Sequence, residues 1–253
     1  MSFIELKHVS KRFGSLVVLN NLSLSIEKGK CLVVIGASGT GKSVMLKHIV
    51  GLLRPDAGEV WIDGQRIDNL PERDLVPVRT RFGFLFQMGA LFDSLTVAEN
   101  IAFPVVEHTH KPPDEVQRIV AQKLRQVGLP EAGAKMPGEL SGGQKKRVAL
   151  ARAIALDPEV ILYDEPTTGL DPVRSDVINE LILKLQRELN VTSIVVTHDM
   201  NSAFKVADRI VMLHEGHLIF DGTTEEIQNS DNPDVQRFVL GEAGEQELAT
   251  LKL

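Results

Sequence analysis

Cysteine is nearly missing from this sequence: Cys31 is the single one among 253 residues, and it sits inside the apolar run Cys31–Ile35. One thiol rules out a disulfide framework within the chain and suits a reducing cytosol. A basic excess is missing too, since 28 Lys and Arg stand against 34 Asp and Glu, for a net charge of −6. No nucleic-acid partner is expected, because such binders carry a basic balance or a dense basic face. No stretch approaches the roughly 20 apolar residues that a membrane helix needs. The first residues, Met1 to Lys7, carry charge early and lack a continuous apolar core, so no signal peptide is expected. Any membrane role is then expected to run through a partner. Internal repeats and low-complexity tracts are also absent. The rest is ordinary globular usage, 43% hydrophobic and 25% charged, in a length that suits one large domain or two small lobes sharing a core.

From Phe3 to about Ile26 the pattern reads as short strands with a turn at Gly14-Ser15. Cys31–Ile35 is the kind of run that fills a sheet buried on both faces. A glycine-rich loop at Gly36–Gly41 leads into helical pattern from Lys42 to about Val50, and Val60–Gly64 reads as a hairpin strand ending in a turn. From about Leu91 to Ala155 the character becomes helical, punctuated by Pro112-Pro113, Gly128-Leu129-Pro130 and Pro137-Gly138. Buried-strand pattern returns at Val160–Tyr163 and Ser193–Val196, with an amphipathic helix from about Val173 to Leu189 between them. Strand, helix and strand at this spacing predict a parallel sheet with right-handed crossovers. A hairpin follows (Ile210–Leu213, then Leu218–Phe220), and then a polar, short-helical tail. The expected fold is α/β, with the helical lobe inserted within the core.

Gly36-Ala37-Ser38-Gly39-Thr40-Gly41-Lys42-Ser43 matches G-x-x-x-x-G-K-[ST] at every fixed position, directly after a buried strand and opening a helix. The glycines let backbone N–H groups curl around phosphate oxygens, and the helix N-terminus adds its positive end. Lys42 supplies a positive charge for the β- and γ-phosphates, Ser43 offers a hydroxyl to Mg²⁺, and the nucleotide-contacting run extends to Val44. ATP and Mg²⁺ are the expected cofactors. The competing reading, a glycine-rich turn beside an unrelated lysine, has to explain four fixed matches in the right context. Val160 to Glu165 forms the second half: an apolar strand ending in two acids places both carboxylates at the strand's C-terminal edge. Asp164 suits the metal, and Glu165 is then free to polarise the attacking water as base.

Leu140-Ser141-Gly142-Gly143-Gln144 narrows the class. Ser141 can cap the helix that carries Lys145, Lys146 and Arg147, while Gly142 and Gly143 expose amides for a second anion contact. Read alone, Ser-Gly-Gly is most often a flexible loop. Placed between the phosphate loop and the acid pair, it resembles the signature of the ABC ATPase family, and the resemblance spans roughly Phe3 to Gly222. It implies a P-loop fold of ABC type with an N-terminal antiparallel β subdomain. The implied domain covers 1–240: core and β subdomain in 1–90 and 156–222, a helical subdomain in 91–155, and a tail in 223–253 available for dimer or partner contact. Gln87 is similar to the Q-loop glutamine that touches the metal and senses the membrane partner. Gly169-Leu170-Asp171 resembles the D-loop, with Asp171 communicating between subunits, and His198 resembles the switch histidine at the γ-phosphate. Phe13 occupies the family's adenine-stacking position, where the other reading is a core aromatic. In this family Ser141, Gly142, Gly143 and Gln144 complete the ATP site of a second copy, which implies a homodimer.

Gly89 to Pro104, together with Leu162 to Asp171, is similar to the Mla/Mce-type phospholipid transport ATPases of Gram-negative envelopes. That resemblance implies integral membrane permease subunits, a periplasmic or membrane-anchored substrate-binding protein and a small STAS-type cytoplasmic subunit. It places the chain peripherally at the cytoplasmic face of the bacterial inner membrane. Leu91, Phe92 and Leu95 are expected to offer a groove to a short permease helix, with part of the set packing inside the lobe. An importer ATPase for another small solute stays open beside this, as does a non-transport ABC ATPase. The latter lacks support here, since no long heptad-rich arms and no second cassette are present.

Overall fold

The computed structural model describes residues 2–242. It opens on two antiparallel strands, β1 (Ser2–Phe13) and β2 (Leu16–Glu27), joined at the Gly14-Ser15 turn. In β2, Leu22, Leu24 and Ile26 are buried while Ser23 and Ser25 face outward, the period of a half-buried strand. Each strand runs 12 residues, longer than the short strands expected, because the pairing absorbs irregularities without stopping. His8 and Asn21 are left-handed there, with φ of 54° and 53°, and their side chains meet at 3.0 Å.

The central strand β3 (Cys31–Ile35) is buried at all five residues, and it feeds helix α1 (Lys42–Ile49) through the glycine-rich loop. Strands β4 (Ala57–Ile62) and β5 (Gln65–Arg66) then close the first sheet in the order β2-β1-β4-β5. Two elements not anticipated from the pattern follow, α2 (Glu72–Arg79) and β6 (Phe82–Leu85). Helices α3 (Val97–His108), α4 (Pro113–Gln126) and α5 (Gly142–Ala153) come next, with a 3₁₀ turn at Pro137–Glu139. The start of α3 is fixed by a capping box, Thr96 with Glu99.

The chain then returns through β7 (Val160–Asp164), α6 (Pro172–Leu189), β8 (Thr192–Val196), α7 (Met200–Val206), β9 (Arg209–His214) and β10 (His217–Gly222), ending on α8 (Thr224–Gln228) and α9 (Pro233–Leu240). In α6, Ile178, Leu181, Ile182 and Leu185 form the buried stripe of an amphipathic helix. The second sheet has the order β10-β9-β3-β8-β7-β6, parallel from β9 to β6, with β10 antiparallel at its edge. The expected tail at 223–253 includes α8 and α9, and its residues 243–253 lie outside the described residues. No helix among the described residues is long and apolar enough to cross a membrane.

Period-two alternation splits the core in two. Cys31, Val33 and Ile35 of β3, with Ile161 and Tyr163 of β7, join the helices α3 to α6 in one cluster. Leu32 and Val34, with Val160 and Leu162, join α1 and the first sheet in the other. The sheet is covered on both faces, which is why its strands read as unbroken apolar runs.

Gly83 marks where β6 meets α5: a Cβ built there would lie 2.4 Å from the carbonyl oxygen of Ala153. That oxygen is backbone, so the contact cannot be relieved by a side-chain rotation. Gly83→Ala should therefore cost about 1–3 kcal/mol through overpacking. Thermal unfolding should show a melting temperature several degrees lower, and an unchanged value would mean that α5 shifts freely against β6.

Candidate functional site

Three parallel strands reach one level at the C-terminal edge of the sheet. Val34 of β3 pairs with Val196 of β8, and Val196 pairs with Asp164 of β7. The ladder continues one step further, since Thr197 N–H donates to Val34 O at 3.2 Å and Glu165 N–H to Val196 O at 2.9 Å. Just past that level stand Gly36 and Glu165, the first residues after β3 and β7, and His198, the second residue after β8. The site is where ligands collect in open α/β sheets.

The loop from Gly36 to Gly41 turns on glycine geometry. Gly36 has φ of 149°, and a Cβ there would fall 2.3 Å from Leu213 O. Gly41 has φ of 102°, with Val18 O only 2.8 Å from its virtual Cβ. L-residues rarely adopt such backbone, so only glycine lets the loop close against β9 and β2. Ala37, Ser38 and Gly39 are exposed at its crest, and Thr40 Oγ1 donates to Ala37 O at 2.9 Å. Lys42 is 94% buried by residue, and its Nζ donates to Gly36 O at 2.7 Å and to Ala37 O at 2.9 Å. The ammonium is thus held inside the curl of the loop with a third donor to spare. Burial pushes its pKa down, and the charges of Glu165 and Asp164 oppose that shift. Val44 follows at half-burial against the core beneath.

Ser43 Oγ donates to Asp164 Oδ1 at 3.0 Å, so hydroxyl and carboxylate converge on one point. Burial, reinforced by the neighbouring Glu165, raises the Asp164 pKa, and the Ser43 hydrogen bond pulls the other way. An oxygen pair of this kind fits Mg²⁺, which takes one or two protein ligands and completes its shell with phosphate and water. Among the described residues no group of three or more His, Cys, Asp or Glu forms a self-sufficient metal cage.

Glu165 has φ of 52°, a left-handed backbone that costs a non-glycine residue roughly 1–2 kcal/mol. The conformation turns its side chain back across the sheet edge. His198 Nδ1 lies 2.9 Å from Glu165 Oε2, and Thr168 Oγ1 donates to the same oxygen at 3.1 Å. Both contacts fall on Oε2, which leaves Oε1 to accept a proton. Glu165 is mostly buried while His198 is exposed at the surface of the site.

The remaining sequence-predicted residues stand around this centre. Gln87 lies just beyond β6 with an exposed side chain, and its carbonyl, not its amide, is what the surrounding structure grips. No hydrogen bond among the described residues joins it to Ser43 or Asp164. Ser141 caps α5, accepting from Gln144 N–H at 3.4 Å while Gln144 Oε1 accepts from Ser141 N–H at 2.9 Å. Gly142 and Gly143 open α5 beside Leu170 and Arg174, and no hydrogen bond among the described residues joins this segment to the Gly36–Val44 loop. Asp171 caps α6, accepting from Arg174 N–H at 2.9 Å. Phe13 ends β1 at 48% exposure, with Lys11 Nζ 5.6 Å from the ring centroid, so its ring is not part of the core.

Sequence reasoning missed Thr168 and the role of Lys146. Lys146 is 93% buried, and its Nζ reaches Gln87 O and Glu165 O, both at 3.1 Å. Its signal was present: it sits three residues after Gly143 on the helix face that buries Gly143 and Leu150. A cation on a buried helical stripe has to be held by something.

The sequence profile of the ABC transporter family matches residues 19–168. The intermembrane phospholipid transport system ATP-binding protein MlaF of Haemophilus influenzae is 46% identical over 242 residues, 96% of this chain and 92% of that protein. The probable ribonucleotide transport ATP-binding protein mkl of Mycobacterium leprae is 46% identical over 238 residues, 94% of this chain and 69% of that protein. Among solved structures, the dimeric post-hydrolysis state of the ATP-binding cassette MJ0796 bound to ADP and Pi superposes with a TM-score of 0.80 at 36% identity, covering 87% of this chain and 98% of that one.

Lys42→Ala removes the side-chain cation held inside the loop, and the backbone amides cannot replace its charge. Nucleotide affinity should fall by about 100-fold or more, ~2.7 kcal/mol. A titration with fluorescent ATP checks this, and wild-type affinity would move the phosphate site elsewhere.

Proposed function

This chain belongs to the ABC transporter family and hydrolyses ATP, and on that premise we propose that it powers phospholipid transport across a cell envelope as a dimer docked on a membrane permease. The observation that carries the lipid assignment is the near full-length likeness to MlaF, 92% of which is covered. The mkl protein, equally identical, is covered over only 69% of its length and is named for ribonucleotide transport. Its name supports the second reading, a transporter ATPase for another small solute.

Each residue has a task in this reading. Phe13 stacks on adenine from the rim of the first sheet, while the amides of Gly36–Val44 and the Lys42 ammonium hold the β- and γ-phosphates. Ser43 and Asp164, together with Gln87, would hold Mg²⁺, which would supply charge neutralisation at the reacting phosphate. Glu165 accepts the proton of the attacking water on Oε1, and His198 steadies the carboxylate through Oε2 before reaching the γ-phosphate. Exposed Ser141, with Gly142, Gly143 and Gln144, completes the site of a second copy, and Asp171 lies beside that contact. A cavity of about 480 Å³ between Leu170, Ser175, His198 and Lys205 supports this face as the one that meets the second copy.

A second groove, of about 490 Å³, supports docking to the permease. Phe86, Phe92 and Phe103 line it and are exposed, and Phe92 and Phe103 stand 4.8 Å apart by ring centroid. Arg152 crosses its floor 5.6 Å from the Phe92 ring, donating to Gly89 O and Ala90 O at 2.9 and 2.8 Å. Leu91, by contrast, packs against the helical core, and Leu95 does not line the groove. Exposed apolar clusters of this kind mark interfaces. A peripheral position at the cytoplasmic face of an inner membrane follows from such docking. A substrate-binding protein and a STAS-type subunit complete the proposed assembly.

Two variants and an analysis of the bound solute test this reading. Glu165→Gln keeps the phosphate grip but cannot take the proton, so steady-state hydrolysis should nearly stop while light scattering detects ATP-dependent dimers. A monomer at saturating ATP would remove the sandwich. Phe92→Asp puts a charge where docking would desolvate it, at a cost of several kcal/mol. The variant subunit should melt normally yet lose its membrane partner, whereas the wild-type complex should carry phospholipid identifiable by mass spectrometry. A solute other than lipid in that complex would favour the second reading.

A further inference from the structure

Lys146 spends its charge in an unusual way. It is 93% buried on α5, and both its hydrogen bonds go to backbone carbonyls, Gln87 O and Glu165 O, rather than to a carboxylate. A methionine of similar shape would fill the same space without the cost of desolvating an ammonium. What the lysine adds is the two carbonyl contacts. They tie together three parts of the chain: α5, the segment after β6 and the first residue after β7.

Glu165 is gripped from both sides as a result. Its N–H donates to Val196 O at 2.9 Å, and its carbonyl accepts from Lys146 at 3.1 Å. Between these bonds the residue keeps its left-handed φ of 52°. Relaxing that backbone toward the common helical or extended regions would swing the carboxylate away from His198 and Thr168, which meet it at 2.9 and 3.1 Å. The same ammonium holds Gln87 at its carbonyl, which leaves the Gln87 side chain free to move toward a ligand.

We propose that Lys146 is a positioning residue for ATP hydrolysis, clamping Glu165 in its strained conformation and coupling it to Gln87. The proposal rests on Glu165 as the base. The hydrogen bonds of Lys146 go to Gln87 O and Glu165 O and none to the Gly36–Val44 loop, so its loss should act on the chemical step and leave ATP binding alone.

The test is steady-state ATPase kinetics on the full chain with its partners. Lys146→Met should lower kcat by about 10–100-fold, the usual scale for a supporting residue, with KM for ATP within about twofold. Lys146→Gln also carries two N–H donors on one nitrogen and should recover much of the loss. In a Glu165→Gln background, Lys146→Met should lower the residual rate no further, because a clamp on a disabled base has nothing left to position. A Met variant with kcat near wild type, a Gln variant no better than Met, or fully multiplicative losses would each overturn the proposal. Melting temperatures accompany the kinetics, and failure of both variants to fold would assign Lys146 to the core instead. Full turnover in Glu165→Gln alone would identify the base assignment, and not the clamp, as the error.

Discussion

Everything at the site hangs on the register of three parallel strands. Val34, Val196 and Asp164 stand at one level, so the phosphate loop, His198 and Glu165 leave the sheet side by side. The backbone carries this arrangement one bond beyond the strands, through Thr197 to Val34 and Glu165 to Val196. A slip of one residue in β7 would send Asp164 to the opposite face and part it from Ser43. The register is pinned by apolar alternation: Ile161 and Tyr163 belong to one core cluster, Val160 and Leu162 to the other. Catalytic geometry is in this sense a by-product of core packing.

Four charged groups share this small volume, and burial works against the charged form of three of them. Burial depresses the pKa of Lys42 and of Lys146, and it raises that of Asp164. In each lysine the carboxylate of Glu165 opposes the shift. The charges are thus mutually dependent, and the polyanion that the loop is shaped to hold would add to the support of both cations. A site built this way is organised before its ligand arrives, which is where electrostatic catalysis gets most of its strength.

How much of this could be read from the sequence follows from how local each signal is. The family and the α/β fold were legible because four fixed positions of the phosphate loop, the Leu162–Glu165 strand end and the Leu140–Gln144 segment each carry their own meaning. β6 was not, since Phe82 to Leu85 is only four residues long and half-exposed on alternate positions. Helix α2 was hidden by its polar composition and by Pro77 within it. Phe13 had two readings until its exposure at the end of β1 set aside the core one. Lys146 was named with its neighbours as one of three basic residues on a helix. Its spacing from Gly143 and Leu150 places it on the inward stripe of the helix, but only the fold reveals what holds it there, because its partners, Gln87 and Glu165, lie 59 and 19 residues away.

That inward lysine also makes α5 an element that touches several parts of the site at once. The helix spans 12 residues, about 18 Å at 1.5 Å per residue. Ser141 caps its first turn, Lys146 grips Glu165 and Gln87 at its middle, and Arg152 grips Gly89 and Ala90 near its end, beneath Phe92. A helix with a buried face does not bend easily between these points, so a displacement imposed at the Phe92 groove is felt by the Gln87 and Glu165 carbonyls together. Conversely, any contact that fixes Ser141 fixes the same rod. Coupling under the proposed docking would rest on a rigid helix with three grips, two of them on the segment that runs from Gln87 to the groove. A nucleotide that draws on Glu165 and a partner seated on Phe92 would bias one shared position of that helix, which is the condition for either to influence the other.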